Sequence, residues 1–344
     1  MSAPQPAAAV ACPACGAAIA PEDSFCEACG AELTPAAVSA GTPPAAAACP
    51  FCPGAAISAD GYCDSCGRKV PSGRDHAELD LGVLAGITDR GLRHHRNEDA
   101  MALAVADLAG GPAAVAVVSD GISTSDRPDE ASLAAAQAVV DVLLSAVRTG
   151  QDLPEACRAA TRSAADAVHA LAGQSADQPS ATLIAAVVTG DAATICWLGD
   201  SRAYWLAEAG ARRLTRDDSL AEEMVAAGLL SETEAMASAH AHVVTRWLGG
   251  DSAEATPHVT RFEPPGPGVL LLCSDGLWNY RPDADQLAAL ALPGALTEPL
   301  AAAAALVKVA LDEGGMDNIT AVLVPFPPGR SAAAPEPHTA TVPA

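Results

Sequence analysis

Aromatic side chains are scarce in this sequence: Trp, Tyr and Phe together make 3% of 344 residues, although half of the chain is hydrophobic. A core therefore has to be assembled from Ala, Val and Leu, through many thin contacts in place of a few bulky ones. Basic residues are scarce as well, 19 Lys and Arg against 42 Asp and Glu, for a net charge of −23. A nucleic-acid binder needs a basic footprint to neutralise phosphates, so no nucleic acid is expected as a partner. The same balance argues against adhesion to an anionic membrane surface. Long hydrophobic runs are missing too. The run over 131–140 stops at Asp141, and the one over 301–307 follows Glu298 closely. Neither approaches the roughly 20 apolar residues that a helix needs to cross a bilayer, so no membrane is expected. The alanines of residues 1–11 have no basic region ahead of them and do not read as a secretory leader. The cytoplasm is the expected compartment, and the length suggests about two domains.

Cysteine, by contrast, is abundant: eleven in all, eight of them within residues 12–66. Cys12, Cys15, Cys26 and Cys29 follow C-x2-C-x10-C-x2-C, and Cys49, Cys52, Cys63 and Cys66 repeat that spacing 37 residues later. Phe25 and Tyr62 precede the second pair of each set, and Gly30 and Gly67 follow it. A two-residue gap lets both sulfurs of a knuckle face one ion, and two knuckles complete a tetrahedral thiolate site. Segments this short cannot bury enough surface to fold unaided, so the metal supplies the missing stability. Disulfides or free thiols are the other reading, and the duplication argues against it. Two structural Zn²⁺ ions are expected, in ribbons over 1–34 and 49–70 joined by an Ala-, Thr- and Pro-rich linker over 35–48. A protein is the partner such ribbons fit, as adaptors. Cys157, Cys196 and Cys273 sit in apolar contexts and read as small core residues.

Between about residue 76 and residue 327 the pattern is strand-like over 81–87, 101–106 and 115–119, then helical over 131–149 and 153–171. Strands return over 182–188 and from 194 to 205. A helical insert over 219–228 precedes a strand-like 243–248, strands over 269–273 and 319–324, and a helix over 299–313. Strands in sequence, a helix pair, then more strands suggest antiparallel sheets with helices on their faces. The Pro- and Ala-rich 328–344 is expected to be a disordered tail.

Several acids share one context, the end of an apolar strand followed by a flexible residue: Asp120 before Gly121, Asp200 before Ser201, Asp275 before Gly276. Glu98 and Asp99 close the 91–100 segment, and Asp317 with Asn318 sits between two glycines and a strand. A lone Asp-Gly pair usually means a turn. Twice here it directly follows a strongly apolar strand, so distant acids can converge on one sheet edge. Two bare carboxylates about 4 Å apart repel by roughly 4 kcal/mol at an effective dielectric near 20. A converged set needs cations, and all-oxygen ligands suit Mg²⁺ or Mn²⁺.

The ordered set RNED (96–99), SDG (119–121), GDSRAY (199–204), TRWLG (245–249), CSDGLW (273–278) and GGMDNIT (314–320) resembles the metal-dependent serine/threonine protein phosphatases, the phosphatase 2C group, in its bacterial form. Each motif alone is weak; six in order are specific. The resemblance runs from about residue 81 to 325. It implies an α+β fold over 71–327, a four-layer α-β-β-α sandwich of two antiparallel sheets flanked by helices. It further implies that Asp120 bridges two metal ions, with the Gly121 carbonyl on one of them, and that Asp275 and Asp317 complete the first ion's ligands. Glu98 would meet the second ion through water, with Asp99 behind it, and Asp200 would serve a weaker third site. Asn318 and Arg202 would orient loops. Two ions about 3.5–4 Å apart acidify a bridging water, and the hydroxide attacks the phosphorus of a phosphoserine or phosphothreonine in a protein substrate. Such an enzyme would oppose eukaryotic-like Ser/Thr kinases. No cysteine nucleophile is implied, and Cys273 lacks the arginine of a C-x5-R loop.

Three departures from the family pattern stand out. His94 occupies the place of a phosphate-holding arginine, leaving Arg93 and Arg96 as alternatives for that role. Ile122, Ser123 and Thr124 replace Met-Gly-Gly after Asp-Gly. Ile122 also replaces a histidine that serves some eukaryotic relatives as a candidate general acid. The acidic insert over 206–245 matches the family's variable flap, with Glu222, Glu223, Glu232 and Glu234 read as a solvated helix face. His240 and His242 read as polar surface, and Trp197, Trp205, Trp247 and Trp278 as packing residues. A second reading stays open beside the enzyme, a pseudophosphatase scaffold that uses the ribbons as docking modules.

Overall fold

The computed structural model describes residues 10–11, 18–19, 65, 73–173, 177–236, 238, 242–249, 255–327 and 340–341. The eight knuckle cysteines, the 35–48 linker and nearly all of 328–344 lie outside the described residues, as does His240. Strands β1 (Val10–Ala11) and β2 (Ala18–Ile19) pair with each other near the N-terminus. Strands β3 (His76–Asp80) and β4 (Ala85–Asp89) follow, then the long hairpin β5 (Asp99–Leu108) and β6 (Gly111–Asp120). Helices α1 (Pro128–Thr149) and α2 (Leu153–Ala170) lead to β7 (Ser180–Ala181), β8 (Leu183–Thr189), β9 (Ala192–Leu198), β10 (Arg202–Leu206) and β11 (Arg212–Arg213). Short helices α3 (Leu220–Ala226) and α4 (Glu232–Met236) form the insert before β12 (Leu248–Gly249), β13 (His258–Phe262) and β14 (Gly268–Cys273). Helices α5 (Asp275–Trp278), α6 (Ala284–Ala295) and α7 (Pro299–Asp312) precede β15 (Ile319–Phe326) and β16 (Ala340–Thr341).

Two six-stranded sheets result. One runs β11-β10-β14-β15-β4-β3 and the other β13-β9-β8-β6-β5-β16, antiparallel throughout. Strand alternation assigns each side chain to a layer. On β5, Met101, Leu103 and Val105 face the opposite sheet, sharing one cluster with Ile184 and Ile195 of their own sheet and Leu272 and Val322 of the other. The intervening Ala100, Ala102 and Ala104 face α1, whose Ala131, Ala135 and Ala136 share their cluster. On the far side, Leu271, Cys273 and Leu323 meet Leu287 of α6 and Leu306 of α7. The four-layer α-β-β-α sandwich expected from the sequence is the one found. Small residues on both faces let helix and sheet approach closely. A Cβ at Gly86 would stand 2.8 Å from Val322 Cγ2 and 2.9 Å from Met101 Sδ, so the inter-sheet layer has no spare room there.

Several elements differ from the sequence reading. The apolar run 81–87 is not one strand, because residues 81–84 form a turn closed by the Leu81 N–H donating to the Leu84 carbonyl. The stretch 243–248 is not a strand either. It holds one bridge, between Ser219 and Val244, and the start of the two-residue β12. Helix α1 is long and apolar enough to cross a membrane by length and composition, since Asp141 lies inside it and does not end it. Its apolar face is packed in the cluster just described. Cys157, Cys196 and Cys273 are buried free thiols, as expected.

Candidate metal centre

Four strand ends meet at one edge of the sandwich. In the β5–β6 hairpin Asp99 lies directly opposite Asp120. In the other sheet Cys273 lies opposite Ala321, which sets Ser274 and Asp275 beside the segment carrying Asp317. Asp99 ties the sheets together: its Oδ2 accepts hydrogen bonds from Ser274 Oγ and Thr320 Oγ1, each at 2.7 Å. One oxygen of the Asp99 carboxylate is thus committed to the opposite sheet.

The acids respond to one another. Burial pushes the Asp120 carboxyl well above the usual range, and the charges of Asp99, Asp275, Asp200 and Asp317 add to the shift. Asp275 is raised in the same way, by burial and then by Asp317, Asp200 and Asp99. Asp200 is pushed up to about 7 by burial and then by Asp217. Asp99 reaches about 6 because burial outweighs the hydrogen bonds from Ser274 and Thr320. The strand pairing and the bonds of Asp99 set Asp99, Asp120, Asp275 and Asp317 around one sheet edge, and Asp200 is within electrostatic reach of Asp120 and Asp275. Among the described residues no three His, Cys, Asp or Glu side chains stand in a ready ligand array. The donor set nevertheless fits hard divalent cations. It is all oxygen, it carries excess negative charge, and Asp99 Oδ1 is buried with no hydrogen-bond partner among the described residues.

Loops around the acids are held by a dense polar shell. Asn318 Nδ2 donates to the carbonyls of Arg90 (2.8 Å) and Arg96 (3.1 Å), while its Oδ1 accepts from the Glu98 N–H at 2.8 Å. One side chain thus sews the 90–98 loop to the 317 loop. The Glu98 carbonyl accepts from Ser132 Oγ at 2.5 Å and from the Gly121 N–H at 3.1 Å. Gly121 is sterically required, since a Cβ there would stand 2.3 Å from the Pro128 carbonyl oxygen. Arg202 is buried, with its guanidinium forked onto Asp217 at 2.6–3.1 Å and stacked 3.6 Å above the Trp278 ring. Trp278 Nε1 in turn donates to the Asp200 carbonyl at 3.0 Å. Arg202 therefore links the Asp200 loop to the short helix that begins at Asp275.

A family model for protein phosphatase 2C matches residues 91–307, well over half of the chain. The chain belongs to that family. A second model, the double zinc ribbon, matches residues 12–70, the stretch with both cysteine sets. The serine/threonine phosphatase stp of Listeria innocua is similar to the 2C domain at 36% identity over 144 residues, 42% of this chain and 55% of that protein. The serine/threonine protein phosphatase PstP of Mycobacterium tuberculosis is similar at 33% over 142 residues, 41% of this chain and 26% of that protein. The chain thus spans about half the length, or less, of these curated relatives. Among solved structures, the PstP catalytic domain in complex with two manganese ions is similar over 70% of this chain and 96% of that one, with a TM-score of 0.56 and 28% identity. The phosphatase MsPP from Mycobacterium smegmatis, in complex with cacodylate, is similar over 72% and 99%, with a TM-score of 0.57 and 28% identity.

Within this 2C domain, the departures noted in the sequence acquire partners. His94 Nε2 lies 3.1 Å from Asp317 Oδ1 and its Nδ1 4.0 Å from Glu98 Oε2. Ser123, in place of a glycine, donates to Glu98 Oε2 at 2.5 Å. Arg96 is engaged by Glu98 and Asp129, whereas Arg93 is exposed and makes no side-chain hydrogen bond or ion pair among the described residues. His242 is not plain polar surface: its Nδ1 is 4.0 Å from Asp275 Oδ2 and its ring stacks on Trp278. Glu222 is likewise more than a solvated charge, accepting from Arg213 at 3.1 Å and Arg216 at 3.0 Å. Trp197, Trp205 and Trp278 are buried packing residues, while Trp247 lines a groove with Ile122, Ser180 and Val243. Nothing in the spacing of His242 signals its place over Asp275. His94 was foreseeable in part, because it lies four residues before Glu98.

Proposed function

We propose that this chain hydrolyses phosphoserine and phosphothreonine in proteins, opposing Ser/Thr kinases. The carrying observation is the gathering of acids from separate segments at one sheet edge, where Asp99 lies opposite Asp120 and its carboxylate bonds across to Ser274, the neighbour of Asp275, and to Thr320 beyond Asp317. Asp120, Asp275 and Asp317 are the proposed ligands of one Mn²⁺ or Mg²⁺ ion. Asp120 would be shared with a second ion near Glu98, the Gly121 carbonyl would serve one of the two, and Asp200 would belong to a weaker third site. When bound, such ions acidify a water into a nucleophile and offset charge on the phosphoryl oxygens. The chain's own residues do the rest. Arg93, with its guanidinium uncommitted, is the better candidate of the two arginines to hold the substrate phosphate. Asn318 and Ser123 fix the rotamer and backbone of Glu98 before substrate arrives. The family's two-manganese relative supports the choice of metal. The ribbons are proposed as zinc-bound docking elements for a protein partner.

The test is Mn²⁺-dependent release of phosphate from a phosphothreonine peptide. Turnover is expected in the wild-type chain and a loss of at least about 100-fold in Asp275→Asn, which keeps shape and removes charge. A folded wild-type protein that binds Mn²⁺ yet releases no phosphate would make the chain a scaffold.

A further inference from the structure

The segment that enters the 2C domain from the ribbons is bonded directly to the loop carrying Glu98. Arg74 lies four residues beyond the zinc-ribbon match. Its Nη1 donates to Asp129 Oδ2 at 3.1 Å and its Nη2 to the Asp129 carbonyl at 2.9 Å. The other oxygen of that carboxylate, Oδ1, faces Arg96 Nη1 at 3.4 Å. Arg96 then uses Nε to donate to Glu98 Oε1 at 3.0 Å. The backbone follows the same route, since Asn97 Nδ2 donates to the Arg74 carbonyl at 3.0 Å and the Arg90 N–H donates to the Asp75 carbonyl at 2.7 Å. Arg74 and Asp129 are both largely sheltered from solvent, with side chains 14% and 20% exposed. Asp129 also stands in the first turn of α1, where any acid is favoured by the helix dipole. A dipole needs only the charge. It does not require an arginine on each carboxylate oxygen, one reaching back to the domain entrance and the other forward to Glu98.

We infer that Asp129 is a positioning residue for Glu98, acting through Arg96, and that Arg74 holds it there from the domain entrance. The inference rests on the phosphatase reading above, in which Glu98 serves the second metal position. Arg96 alone is a long, half-exposed side chain, and pinning its far end to Asp129 leaves its Nε aimed at Glu98. Groups that orient a metal ligand typically contribute a factor of about 10–100 in metal affinity.

The experiment is a Mn²⁺ titration of the full chain by calorimetry, beside hydrolysis of a phosphothreonine peptide across Mn²⁺ concentrations. Asp129→Asn is expected to weaken the weaker Mn²⁺ step by about 10-fold, to leave the tighter step unchanged, and to regain turnover in excess Mn²⁺ with the peptide KM unaltered. Arg74→Gln should follow in the same direction, and Arg74→Lys should recover part of the loss. The inference fails if both variants bind Mn²⁺ as the wild type does. It also fails if both steps weaken equally, the mark of general loosening, or if KM rises while Mn²⁺ affinity holds, which would assign Asp129 to phosphate binding. Should Asp129→Asn not fold, Arg74→Gln and Arg74→Lys decide alone. A wild-type chain that binds no Mn²⁺ or releases no phosphate would instead overturn the phosphatase reading, and this inference with it.

Discussion

Arg202 is held between two demands. Its charge is buried beside Asp217, and its flat face covers Trp278. Breaking a buried pair by removing one partner typically costs about 3–5 kcal/mol, because the other charge is left stranded. Arg213 stands 3.7 Å from the same carboxylate and softens the loss. Arg202→Met is therefore expected to lower unfolding stability by about 3 kcal/mol. Adding Asp217→Asn should restore part of it, since no buried charge then remains. Urea unfolding of the two single variants and the double variant measures the coupling; strictly additive losses would show that the pair is not linked. Ser123 illustrates a different residue-scale point. A hydroxyl where relatives carry glycine does not empty the loop of function, because it donates to Glu98.

At the scale of elements, legibility followed burial. Strands β5, β6, β8, β14 and β15 are apolar on both faces, so their runs stand out in the sequence. Strands β3 and β13 were not foreseen, and both are edge strands with alternating or largely exposed side chains, where the pattern thins. Helix α6 was missed as well. It contains Pro293, which reads as a break although the residue falls near the helix end. The opposite error came at 243–248, where β-branched residues suggested a ladder. Those residues are held by tertiary contacts instead, among them the Thr245 N–H donating to the Asp218 carbonyl at 2.8 Å. Asp120, Asp200 and Asp275 were legible because each ends or follows an apolar strand, whereas Asp99 opens β5 and Asp317 precedes β15. His242 was not, because only the folded chain sets it by Asp275, and the contact of His94 with Asp317 was no more visible than its spacing from Glu98. The insert itself is anchored at its roots, by Asp217 on Arg202 and by Asp218 on Arg246 and His258. Its middle exposes Leu229. Limited proteolysis is expected to cut first between α3 and α4, with the two products staying together on gel filtration; first cleavage inside β8 or β14 would contradict this.

The whole molecule carries its charge problem in one place. The unfolded carboxyls titrate near 4, whereas Asp99 and Asp200 titrate near 6 and 7 in the fold, with Asp120 and Asp275 also raised. Between those limits the folded protein keeps protons that the unfolded chain has lost. The stability these groups contribute is fully present below about pH 4 and is lost as pH rises through 6 to 7. Protein dialysed free of Mn²⁺ and Mg²⁺ should thus lose thermal stability from pH 5 to pH 8. Added Mn²⁺ should remove much of that decline, because a cation replaces the protons. Scanning calorimetry at the two pH values, with and without Mn²⁺, measures the difference, and a metal-independent slope would mean that the acids do not share a cation.

Topology adds a consequence for biosynthesis. Strand β4 pairs locally with β3, but its other neighbour is β15, so Asp89 waits for Ile319 on that side, and Asp317 arrives just ahead of β15. A nascent chain can complete the helix pair and the hairpin sheet early, yet one half of the sandwich stays open until β15 has been made. Long-range pairing of this kind is slow and leaves apolar surface uncovered meanwhile. A chain not yet extended through β15 cannot bring Asp317 to the other acids, so the cluster is among the last features of this domain to form.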